Sequence, residues 1–128
     1  MILVDSSVWI EFFRPRRSAH QAYLSELILL PDAIGVAGPI LQEVLQGIRD
    51  DEAFRRVAES LRRFSIVHPD TETYVAAARL YRALAGKGFA VPPGDVTIAA
   101  LAIQHGFELY TLDLRHFERV RDHSTLRL

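Results

Sequence analysis

Four short apolar runs punctuate the chain, and each is followed by a segment with helical spacing. This alternation constrains the fold more than any other feature. The runs are Met1–Asp5, Ala33–Ala37, Phe64–Val67 and Glu108–Thr111, with Thr125–Leu128 a candidate fifth. Between the first two, Ser6 and Ser7 suit a helix start before Val8–Phe13, and Pro15 breaks the pattern. His20–Leu30 then places Tyr23, Leu24, Leu27, Ile28 and Leu30 at helical spacing. Pro39 fits the first turn of a helix that runs to about Gly47. Asp50–Arg63 is charged, with Phe54, Val57, Ala58 and Leu61 on one stripe. Asp70 caps a long helix over Thr71–Ala85, and Pro92-Pro93-Gly94 is a hard break. Asp95–His105 is apolar almost all round, so it reads as a buried helix stopped by Gly106.

Strands alternating with helices predict an α/β fold built on a parallel sheet. Short, wholly apolar strands are what a sheet covered on both faces requires. With 128 residues, 49% of them apolar, the chain has material for one sizeable core, so a single domain over residues 1–128 is expected. No cysteine is present, which excludes disulfides, thiolate metal sites and cysteine nucleophiles. No apolar run is long enough for a membrane span and the N-terminus does not read as a signal peptide, so a cytoplasmic protein is expected. A net charge of −1 neither demands nor forbids a nucleic-acid partner.

In open parallel sheets the functional site lies beyond the carboxyl ends of the strands. Asp5 ends the first strand and Asp113 follows the fourth, so both belong at that mouth. Asp95 sits at a helix start, where it would also serve as a cap, and Glu43 lies on a mostly apolar helix. Taken singly, each acid has an ordinary structural explanation. Taken together they need cations or protonation, because two carboxylates ~4 Å apart repel by about 1 kcal/mol in water and about 4 kcal/mol at an effective dielectric of ~20. Since the arginines lie mostly in the helical segments between, a hard divalent cation is the simpler partner. Oxygen ligands without cysteine, and without histidine at metal spacing, favour Mg2+ or Mn2+ over Zn2+. Four of the five histidines read as solvated surface residues, with His116 ambiguous beside Asp113.

Four segments resemble one family. Ile2-Leu-Val-Asp5-Ser-Ser7 is similar to a strand ending in Asp-x-Ser, and Ile40-Leu-Gln-Glu43-Val-Leu-Gln-Gly47 to a helix bearing a second acid. Gly94-Asp95-Val-Thr-Ile-Ala99 is similar to a third-acid helix, and Thr111-Leu-Asp113 with Phe117 to a closing Thr-x-Asp signature. In this order they resemble the PIN-domain nucleases and, within them, the VapC-type toxins of toxin–antitoxin pairs. His116 stands where that family often has an acid, which leaves Asp113 to serve alone in the closing segment. The resemblance implies a three-layer α/β/α fold with four or five strands, Mg2+ or Mn2+ dependence, cleavage of RNA, a VapB-type antitoxin and a homodimer.

Under that resemblance Asp5, Glu43, Asp95 and Asp113 are the catalytic and metal-holding residues, with Ser7 and Thr111 in support. Arg14, Arg16, Arg17, Arg115 and His116 are candidate RNA contacts. A catalytically silent binding module is the alternative, and phosphoaspartyl chemistry at Asp5 a further one. The latter wants a second Asp where the chain has Ser7. Trp9, Phe12, Phe13, Tyr23, Tyr74 and Tyr81 sit at helical spacing and read as core. Trp9, Phe12 and Phe13 fill more than one helix face, so one face is free to meet an antitoxin or a second subunit.

Overall fold

The computed structural model describes residues 1–15 and 18–128. Four strands, β1 (Ile2–Val4), β2 (Ile34–Ala37), β3 (Ser65–Val67) and β4 (Glu108–Tyr110), form one sheet in the order β3-β2-β1-β4. All three pairings are parallel, with Leu3 opposite Gly35 on one side and Leu109 on the other. Among the described residues seven helices accompany them, the last following β4: α1 (Ser6–Phe12), α2 (Ala19–Ile28), α3 (Gly38–Gln46), α4 (Asp51–Leu61), α5 (Thr71–Ala85), α6 (Pro93–His105) and α7 (Leu114–Asp122).

The chain builds outward from β1 to β3 and then returns to the other side of β1. Right-handed crossovers therefore put α1–α4 on one face and α5–α6 on the other. The helix contacts divide the same way: α1 meets α2 and α3, α3 meets α4, while α6 meets α5, α7 and β4. The switch in direction falls between β1 and β4, where an open α/β sheet leaves its crevice.

The core explains the strand sequences. Leu3, Val4, Val36, Ala37 and Leu109 are buried between the two helical layers, and α6 buries Val96, Ile98, Ala99, Ala100, Leu101 and Ala102. Trp9 is wholly buried on α1, with its ring 5.3 Å from Phe64 and 6.0 Å from Phe13. The start of α5 is secured as its sequence demands. Asp70 accepts from Thr73 N–H, the buried Thr73 hydroxyl reaches Gln104 on α6, and this polar knot ties α5 to α6.

Three readings need correction. Thr125–Leu128 is not a strand; it contributes one isolated bridge, Arg127 to Glu108, so the sheet has four strands. The helix α7 was not foreseen, although Phe117 and Val120 stand three apart and are both buried. Of the aromatic residues read as core, Tyr23, Tyr74 and Tyr81 are exposed, because their helices turn a polar side outward at those positions.

The stop after α6 carries a backbone requirement. Gly106 has φ +68°, and a Cβ placed there meets nothing within 4 Å, so its cost is conformational alone. Gly106→Ala should lower unfolding free energy by about 1 kcal/mol in urea titration. Gly94→Ala, in the first turn of the same helix and also unobstructed, should be neutral or stabilising.

Candidate active site

The carboxyl ends of β1 and β4 are sewn together through Asp5. Its backbone N–H donates to the Tyr110 carbonyl at 2.8 Å. Its side chain is 6% exposed and makes no capping bond to α1, although it occupies the cap position. Instead Oδ2 accepts from the Ser7 hydroxyl at 3.0 Å and from the Thr111 hydroxyl at 2.8 Å. Each hydroxyl accepts in turn from the segment after β4: Leu112 N–H donates to Ser7 Oγ at 3.0 Å and Asp113 N–H to Thr111 Oγ1 at 2.9 Å. Ser7 and Thr111 thus orient Asp5 and place the backbone that presents Asp113. The same commitment of Ser7 gives phosphoaspartyl chemistry no second acid at that position.

Asp95 sits in the first turn of α6 and is not its cap; Pro92 holds that position and there is no side-chain capping bond. The rival explanation of Asp95 as a helix cap therefore does not hold: Pro93 starts the helix two residues before Asp95, as its fixed φ allows. The Asp95 side chain turns instead to the other acids. Asp113, at the cap of α7, likewise makes no capping bond. His116 Nδ1 lies 3.1 Å from Oδ2 of Asp95 and 3.1 Å from Oδ2 of Asp113, so the imidazole bridges the two. Asp95, Asp113 and His116 offer ligand atoms all within 4.8 Å of one another.

The electrostatics show what converges here. The Asp95 carboxyl is pushed up from 3.8 to about 6, first by burial, then by the charges of Asp113 and Asp5 and, last, of Glu43. His116 opposes the shift. Glu43 is exposed on α3, at the rim of the group, and acts on Asp95 the most weakly of the three acids. Among the described residues no arginine or lysine pairs with these carboxylates. An acid group left this far from neutral suits a divalent cation, so the donor set fits one.

Sequence reasoning placed His116 as a phosphate contact and left Asp113 alone in the closing segment. The structure gives Asp113 and Asp95 a shared partner, and it adds one imidazole nitrogen to a donor set expected to be oxygen alone. The signal was present as Asp113-x-x-His116: once α7 is recognised, residues three apart share a helix face. Arg14 is exposed and pairs with Glu11 at 3.2 Å, and Arg115 is exposed on α7. Arg16 and Arg17 lie outside the described residues. The other four histidines are exposed.

Residues 2–122 match the PIN domain family. The chain belongs to that family. Among curated relatives of this PIN domain, ribonuclease VapC11 of Mycobacterium tuberculosis is 35% identical over 118 residues, covering 88% of this chain and 87% of that one. Ribonuclease VapC1 of Methanocaldococcus jannaschii is 31% identical over 121 residues, covering 94% and 82%. Among solved structures, VapBC2 of Rickettsia felis, bound to a promoter DNA fragment, superposes with TM-score 0.81 at 20% identity over 100% of this chain and 97% of that one. VapBC-5 of Mycobacterium tuberculosis, from a toxin–antitoxin family, does so with TM-score 0.69 at 21% identity over 98% and 97%. At those identities the structures establish the shared PIN fold.

The raised Asp95 carboxyl has a direct consequence for stability. The folded state retains a proton that the unfolded chain releases, so metal-free protein should lose stability as pH rises from about 4 to about 6. Asp95→Asn should flatten that slope and melt above wild type at pH 7.5 in EDTA. A lower melting temperature for the variant there would contradict the repulsion.

Proposed function

We propose that this single-domain protein is a Mg2+- or Mn2+-dependent endoribonuclease. It is the toxin of a toxin–antitoxin pair, acts in the cytoplasm as a homodimer and is held in check by a VapB-type antitoxin. One observation carries the reading: the partly buried Asp95 lies with Asp113 and His116 at the mouth of the sheet, near enough to Asp5 and Glu43 to feel their charge, with its carboxyl driven up to about 6. Relatives that bear the name ribonuclease VapC support the choice of RNA, and neighbours that are VapBC assemblies support the antitoxin. No helix among the described residues is long and apolar enough to cross a membrane.

Asp5, Asp95 and Asp113 would hold the cation, with Glu43 joining directly or through water. When bound, the cation supplies charge neutralisation at the phosphate and acidifies a water molecule. The chain's own groups do the rest. Asp5 is the fixed member, since its hydrogen bonds from Ser7 and Thr111 fall on Oδ2. As the alternative to holding the cation, Glu43 at the exposed rim orients the attacking water and accepts its proton. That water's oxygen bonds to phosphorus, the bond to the leaving sugar oxygen breaks, and that oxygen takes up a proton from solvent water. Arg14, Arg115 and the unused face of His116 contact neighbouring phosphates. Arg16 and Arg17 share that role in the proposal.

Purified wild-type protein should cleave single-stranded RNA with Mn2+ or Mg2+ and stop in EDTA. Asp5→Asn and Asp95→Asn should each lower the rate by about a hundredfold or more while remaining folded. Wild-type cleavage rates in both variants would remove the acids from the mechanism.

A further inference from the structure

Three aromatic rings gather around the end of β4, the strand whose last carbonyl receives the Asp5 N–H. Tyr110 closes β4; its carbonyl accepts the Asp5 N–H, and its neighbour Thr111 binds the Asp5 carboxylate. Strand alternation turns the Tyr110 side chain to the face opposite Thr111. There its hydroxyl lies 2.6 Å from His20 Nδ1, and its ring meets Tyr23 edge to face, with centroids 5.3 Å apart and planes at 70°. The His20 ring stands 6.0 Å from Tyr110. Burial, with Tyr23 close by, holds the Tyr110 hydroxyl above its usual pKa, so it stays protonated at neutral pH.

This cluster is rigid and open at once. His20 and Tyr23 share a face of α2. Gln21 anchors that helix by donating from Nε2 to the carbonyls of Glu11 and Arg14. Tyr23 nevertheless leaves 48% of its surface exposed, and His20 is exposed too. Here one tyrosine is clamped against another and still presents its surface to solvent. Exposed rings on a rigid support suit an unpaired nucleic-acid strand, because its bases stack on them.

We propose that Tyr23, held by Tyr110 and His20, is a stacking platform for one unpaired base of a single-stranded RNA, flanking the phosphate that is cleaved. The inference rests on the ribonuclease reading for the position of that phosphate; stacking itself does not require cleavage. The platform selects unpaired RNA over duplex, since a base within a helix cannot reach a protein ring.

The test uses the full chain and a mixed-sequence, single-stranded RNA oligonucleotide. Tyr23→Leu keeps the apolar packing and removes the ring, whereas Tyr23→Phe keeps both. In the presence of Mn2+, Tyr23→Leu should raise KM about tenfold with little change in kcat, and Tyr23→Phe should stay near wild type. Replacing one flanking nucleotide by an abasic residue should weaken the wild type by a similar factor and add nothing in Tyr23→Leu. Fluorescence anisotropy in an Asp5→Asn background should show the same loss in binding. Cleavage with unchanged KM in Tyr23→Leu, or an abasic effect that survives intact in that variant, would overturn the platform and leave the ribonuclease reading standing. Ring-dependent binding without any cleavage by wild type would do the reverse. Absence of both RNA binding and cleavage would overturn both.

Discussion

The buried Asp5 carboxylate, tied by two hydroxyls, is the interaction on which the rest of the site depends. Ser7 comes from the start of α1 and Thr111 from the end of β4, and both donate to the same oxygen. Through Leu112 N–H and Asp113 N–H these hydroxyls also receive the backbone that leads into α7. One acid thereby fixes where β1, β4, α1 and α7 meet. A buried carboxylate tolerates desolvation only when such donors surround it. The network that makes Asp5 affordable to bury therefore also sets the position of Asp113, and with it the width of the crevice.

Against that order stands the strain of the other acids. Asp95 reaches the crevice from α6, a helix whose remaining positions are committed to the core. It cannot withdraw without unpacking Val96, Ile98 and Ala99, so its charge is held near Asp113 and Asp5 by hydrophobic burial elsewhere. Stability of the core thus sustains an arrangement that electrostatics opposes, a common signature of a functional site. His116 relieves part of the repulsion by bridging Asp95 and Asp113.

Much of this was legible in the residues because the signals were local. Apolar runs closed by a carboxylate located β1, and the pattern from Asp70 to Gly86 located α5 within a residue of its ends. Parallel topology followed from alternation, and it placed Asp5 and Asp113 at one mouth without reference to any family. What escaped was decided by tertiary context. Asp95 reads as a cap because caps are recognised by neighbours in sequence, whereas its partners are His116 and the other acids across the crevice. The last helix escaped because only Phe117 and Val120 of its residues are buried, too few for a clear periodicity. Tyr23 escaped because helical spacing cannot tell a ring that packs from a ring that is merely held. Glu43 came from family resemblance, and its exposed place at the rim shows why its own sequence gave little sign.

The central claim is that convergent acids at the sheet mouth form a cation site, and direct binding tests it without any substrate. Calorimetric titration of metal-free protein with Mn2+ at pH 7.5 should give saturable binding and a raised melting temperature, with Asp95→Asn losing most of the heat. A protein that takes up no Mn2+, or binds it equally well in Asp95→Asn, would contradict the account.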